Sequence, residues 1–129
     1  VRVDAVMQTE LLFIDGLTSV GEALRQMRTS GVSSLVIEKR HEGDEYGFLT
    51  VNEIAARVIA VGKPLERTAV YEVMDKPVLT IASGMQVKYA VRLLVELNRR
   101  RALVTSDAGL LGFVSLRDLV WSYAEAGDG

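Results

Sequence analysis

Gly112-Phe113-Val114-Ser115-Leu116-Arg117-Asp118 reads as a short buried strand that turns at once into a helix. Phe113 and Val114 supply the strand. Ser115 is the candidate N-cap, and Asp118 follows three residues later, the spacing of a capping box. The same geometry has a second use. Free N–H groups at a helix N-terminus form a seat for phosphate, and a carboxylate beside them can accept the two hydroxyls of a ribose. A helix cap alone would account for the stretch, but the stretch occurs twice. Gly47-Phe48-Leu49-Thr50-Val51-Asn52-Glu53 repeats the layout of glycine, two apolar residues, hydroxyl and acid, starting 65 residues earlier. An internal repeat constrains the fold more than any single element does.

Working outward, each copy closes a unit of the same make-up. Val6-Met7 opens the first, and Leu11 to Ile14 are an apolar run of strand length. Ser19 and Glu22 have capping-box spacing, and Val20, Ala23, Leu24 and Met27 form the stripe of an amphipathic helix. Gly31 stands where a left-handed C-cap belongs. Leu35-Val36-Ile37 is a buried strand, and the charged stretch from Lys39 to Tyr46, including Glu38, Glu42, Asp44 and Glu45 at or near it, is expected to be solvated. Phe48-Leu49 pairs back as a hairpin. Thr50 opens a helix expected to carry Ile54, Ala55, Val58 and Ile59 on one face, ended by Gly62-Lys63-Pro64.

Leu65 to Ala69 reads as a linker, and the order then restarts. Val73-Met74 matches Val6-Met7, and Val78 to Ile81 is the strand. Val87, Ala90, Val91 and Leu94 repeat the helix stripe, and Asn98 stands in for Gly31. Leu103-Val104, a turn at Asp107-Ala108-Gly109, Phe113-Val114 and a helix with Leu119, Val120 and Tyr123 complete the second unit. The fold class is therefore α/β (α+β): two pseudo-symmetric β-α-β-β-α repeats, at residues 1–64 and 70–129, joined by the linker 65–69 and expected to pack through their three-stranded sheets.

Composition narrows the function classes. The chain has 129 residues, is 49% hydrophobic and carries a net charge of −2, so a broad basic nucleic-acid footprint is not expected. It has no cysteine and one histidine, His41, in a charged loop. Neither a thiolate metal site nor a nucleophile-and-base constellation is legible, so no enzyme and no metal site is expected. No apolar run reaches the roughly 20 residues of a membrane span. No signal peptide is visible, which makes the cytoplasm the expected location.

With Val-Met opening both units, Ala23 and Ala90 in their first helices, and Gly-apolar-apolar-Thr/Ser-x-x-acid closing both, the chain resembles a tandem pair of cystathionine-β-synthase (CBS) domains, a Bateman module. The resemblance covers nearly the whole chain. It implies a regulatory module that senses an adenosine-containing ligand (AMP, ADP, ATP, S-adenosylmethionine or NAD) in clefts between the repeats and that forms a homodimer. It implies no catalytic cofactor. By the family pattern Ser115 would meet phosphate and Asp118 ribose, with Gln8 to Leu12, Val32, Ser33 and Ser34 flanking the adenine. Thr50 and Glu53 would play the same parts in a second cleft, walled by Asp75 to Leu79 and by Arg99, Arg100 and Arg101. Glu53 departs from the family's aspartate, so the Asp118 cleft is the better expected ribose site. The arginine run reads both as a complement to a helix C-terminus and as a phosphate clamp. The alternative function is a ligand-free homodimerisation module. In either case the expected dimer face is Ile54, Val58 and Ile59 with Leu119, Val120, Trp121 and Tyr123.

Overall fold

The apolar stripes read from the sequence become two separate cores. The computed structural model describes residues 1–126, and its contacts divide the chain into two units. One unit is Leu11–Val78; the other joins Val1–Glu10 to the segment beginning at Leu79. Packing and repeat thus run out of step. The first ten residues belong with the second repeat, and residues 70–78 stay with the first.

In the Leu11–Val78 unit, β1 (Phe13–Ile14) lies parallel to β2 (Ser34–Ile37), which pairs antiparallel with β3 (Gly47–Thr50). Helix α1 (Val20–Ser30) starts at Ser19, whose Oγ accepts the Glu22 N–H at 3.0 Å, and ends at Gly31 with φ 71°. Val20, Ala23 and Met27 join Leu35, Ile37 and Leu49 in the core, as the stripe predicts. The linker is docked rather than free. The N–H groups of Val20 and Gly21 donate to the carbonyls of Thr68 and Leu65 at 2.8 and 3.0 Å. Arg25 grips Glu66 at 2.8 Å and Glu22 at 3.1 Å, an exposed network of small energetic weight.

The helix after Thr50 departs from expectation. Helix α2 (Val51–Ile54) gives way to a π-helical turn at Ala55–Ile59, with the Ala60 N–H donating to the Ala55 carbonyl at 2.8 Å. A π turn holds more residues than an α turn, so the predicted face is broken. Ile54 and Val58 are buried, whereas Ala55 is exposed and Ile59 is 60% exposed.

In the other unit, β4 (Thr80–Ala82) is parallel to β5 (Arg101–Ser106), which pairs antiparallel with β6 (Gly109–Ser115). Helix α3 (Val87–Glu96) buries Val87, Ala90 and Leu94, and Asn98 takes the left-handed turn at φ 53°. Helix α4 (Leu116–Glu125) buries Leu119. The first strand of each sheet is shorter than its apolar run: Leu11 and Leu12 fall outside β1, and Val78 and Leu79 outside β4. The leading segment completes this core with Val3, Val6 and Met7, held by the Val3 N–H to the Met85 carbonyl at 2.8 Å.

Candidate functional site

At the end of the β5–β6 ladder, Arg101 stands opposite Ser115. Ser115 is still extended, so its Oγ is free to turn into the helix, where it accepts the Asp118 N–H at 3.1 Å. The Arg100 carbonyl accepts the Leu116 N–H at 2.7 Å. Half of the expected capping box is therefore present, the hydroxyl half. The acid half has a different partner, because the Asp118 carboxylate accepts from Gln8 Nε2 at 3.0 Å. Gln8 is delivered by backbone pairing: its N–H donates to the Phe113 carbonyl at 2.8 Å, and the Phe113 N–H donates to the Gln8 carbonyl at 3.0 Å. That pairing requires Gly112, since a Cβ there would overlap the Gln8 carbonyl oxygen.

Arg99 and Arg100 are exposed and Arg101 is half-buried. They follow the C-terminus of α3, where the Arg99 N–H donates to the Leu94 carbonyl at 2.8 Å. The run also leads into β5, where Arg101 stands at the Ser115 end of β6. Leu79 is partly buried against this unit's core, and its carbonyl accepts from Leu103 at 2.8 Å. Gln8, Ser115, Asp118, Leu79 and the three arginines thus belong to one unit.

The other copy has the same frame and different side-chain chemistry. Ser34 stands opposite Thr50, and the Ser33 carbonyl accepts the Val51 N–H at 3.1 Å, as Arg100 does for Leu116. Thr50 does not cap the helix through its side chain. Its hydroxyl donates instead to Glu53 Oε1 at 2.8 Å, the longer acid folding back onto it. Asp75 takes the place of Gln8, exchanging backbone hydrogen bonds with Phe48 at 3.0 and 2.8 Å. Its carboxylate pairs with Arg57 at 2.9 Å, and Arg57 also donates to the Val73 carbonyl at 2.8 Å. Leu12 and Val32 are partly buried against this core. Leu12, Val32, Ser33, Ser34, Thr50, Glu53 and Asp75 therefore share this unit.

Arg57 was not among the expected site residues. Its signal was the acid at Asp75, where the first repeat has neutral Gln8: an added carboxylate calls for a cation. The loop after β2 also needs correction, because Asp44 is not solvated. Its side chain is only 9% exposed, and it meets Lys76 Nζ at 2.7 Å and the Arg40 N–H at 2.9 Å. The Lys76 ammonium, followed by the N–H groups of Arg40 and Glu45, holds its carboxyl well below the usual carboxylate range.

The expected dimer face is likewise only partly a surface. Ile54, Val58 and Leu119 are buried and Tyr123 packs on its own core, because each closing helix spends that stripe on its sheet. Ile59, Val120 and Trp121 remain exposed, Trp121 at 61%. Among the described residues no helix is long and apolar enough to cross a membrane, and no three His, Cys, Asp or Glu side chains are grouped to hold a metal ion.

A sequence profile of the CBS domain matches residues 3–60 and again residues 70–125. Uncharacterized protein MK0525 of Methanopyrus kandleri is 33% identical over 101 residues, covering 77% of this chain and 50% of that protein. CBS domain-containing protein CBSX3, mitochondrial, of Arabidopsis thaliana is 27% identical over 105 residues, covering 79% of this chain and 51% of that protein. The chain spans about half the length of these two relatives. Among solved structures, the hexameric CBS-CP12 protein from bloom-forming cyanobacteria superposes with a TM-score of 0.87 at 31% identity, covering 97% of this chain and 73% of that one. An uncharacterized conserved protein from Pyrococcus horikoshii gives 0.79 at 27% identity, covering 94% and 90%.

Proposed function

Since the chain belongs to the CBS-domain family, with two copies of the domain in tandem, we propose that it is a regulatory module whose Ser115–Asp118 edge binds an adenosine-containing ligand. The observation that supports this reading is that one unit holds Ser115 Oγ at a helix N-terminus, the Asp118 carboxylate beside it, and the Arg99–Arg101 run whose last residue stands opposite Ser115. A helix N-terminus and guanidinium groups both favour phosphate. A half-buried carboxylate supplies the acceptor that a ribose diol needs. Thr50 and Glu53 are the weaker site, since their hydroxyl and acid are already bonded to each other. The test is thermal denaturation with AMP, ADP, ATP, S-adenosylmethionine and NADH. A ligand at about ten times its dissociation constant is expected to stabilise the fold by about 1.4 kcal/mol. An unmoved midpoint with all five at millimolar concentration rejects the sensing role.

A second reading, self-association, is favoured by the exposure of Trp121 and Val120 on one helix at 61% and 49%. The hexameric cyanobacterial neighbour adds support by analogy. Exposed aromatics anchor interfaces. In sedimentation at micromolar concentration the protein is expected to run heavier than its 14.1 kDa chain, and Trp121→Glu to shift it toward monomer. A parent that sediments only as the monomer rules this out.

A further inference from the structure

Gln8 and Asp75 occupy matching places: each exchanges two backbone hydrogen bonds with the phenylalanine of its Gly-Phe pair. Their side chains do opposite things. Gln8 Nε2 donates to Asp118 Oδ2 at 3.0 Å, whereas the Asp75 carboxylate accepts and is committed to Arg57 at 2.9 Å. A carboxylate has about four acceptor positions. One donor from Gln8 fixes the plane of the Asp118 carboxylate and leaves enough positions for two hydroxyls. An aspartate at position 8 could not do this, because it would set one carboxylate against another.

We propose that Gln8 is a positioning residue for Asp118, and that it sets the preference of this site for a ligand carrying an intact ribose diol. The inference rests on the ligand-binding reading above and assigns Gln8 a role other than contact with the base. The Gln8 backbone makes its ladder bonds whatever the side chain, so the residue can be changed without dislodging the segment.

The experiment is calorimetry with AMP and with 2′-deoxy-AMP on the parent protein, Gln8→Leu and Gln8→Glu, with melting of the ligand-free proteins as the folding control. The parent is expected to prefer AMP. Gln8→Leu should reduce that preference by about threefold or more, the lower end of the range for one net hydrogen bond, with an unchanged melting midpoint. Gln8→Glu should lose more AMP affinity than Gln8→Leu, because a second carboxylate then faces Asp118. If the parent prefers AMP and Gln8→Leu keeps the full preference, Gln8 does not position the acid. If Gln8→Leu weakens both nucleotides equally, Gln8 contacts the base and the proposal falls. A parent that binds neither nucleotide, or both equally, removes the diol reading of Asp118 and the Gln8 proposal with it.

Discussion

Gly112→Ala is expected to destabilise the protein by about 3–5 kcal/mol, and Gly47→Ala by less than about 1 kcal/mol, although the two glycines hold the same position in the repeat. At Gly112 a Cβ would overlap the Gln8 carbonyl oxygen, which is backbone, and would lie 3.2 Å from the Met7 sulfur. That carbonyl accepts the Phe113 N–H at 3.0 Å, and the Gln8 N–H returns a bond at 2.8 Å. Relief of the overlap requires the segment to move, at the cost of two hydrogen bonds worth about 1 kcal/mol each and an unsatisfied N–H beside a buried phenylalanine worth about 1–3 kcal/mol. At Gly47 the closest atom is the Met74 sulfur, the far end of a flexible chain, and the Ile37 Cβ follows at 3.2 Å. A thioether can swing aside. Urea denaturation of the two variants measures the difference. Equal losses would show that the glycine serves the strand itself rather than the approach of the Gln8 segment.

The elements were legible because their signals are local. Ser19, Gly31 and Asn98 act where their side-chain and backbone chemistry places them, and the α1 and α3 stripes face their cores, with Leu24 and Val91 only partly buried. What could not be read is which repeat each leading segment serves. Val6-Met7 and Val73-Met74 open their repeats in sequence, yet Met7 packs with the second repeat and Met74 with the first. Nothing in residues 1–10 encodes that choice locally; it follows from backbone pairing with a distant strand. The π turn was hidden for a related reason. Its residues Ala55 to Ile59 satisfy a helical period, and only the burial of Val58 without Ile59 shows how the turn is spent.

The site was legible by residue type and illegible by partner. Hydroxyl and acid at a three-residue spacing read as a pair in both copies, but the pair has two states. Serine with aspartate caps the helix and leaves the acid to Gln8, while threonine with glutamate closes on itself. A methyl on the hydroxyl residue and a methylene in the acid separate these outcomes, and no periodicity reports them. Asp44 is similar, since a loop rich in charge gives no local sign that one of its acids is covered by Lys76.

Asp118→Asn is expected to weaken adenosine-ligand binding by about tenfold to a hundredfold, and Glu53→Gln to change it by less than about threefold. A carboxylate accepting two ribose hydroxyls makes charged hydrogen bonds of about 1.5–3 kcal/mol each, and about 1.4 kcal/mol is a factor of ten in affinity. The structure separates this role from helix capping. The bond that caps α4 runs from the Asp118 N–H to Ser115 Oγ at 3.1 Å and does not involve the carboxylate. Asparagine keeps that N–H and nearly the same shape, and its amide oxygen can still accept from Gln8. Melting of the ligand-free variant should therefore stay close to the parent. Glu53 differs because its Oε1 is bonded at 2.8 Å to the Thr50 hydroxyl, the other half of its own pair, so a ligand would have to break the pair apart, whereas Asp118 takes its donor from Gln8. Calorimetry on both variants beside the parent decides between the copies. Equal losses would make the two edges equivalent, and unchanged affinity in Asp118→Asn would leave its carboxylate with only Gln8 to serve.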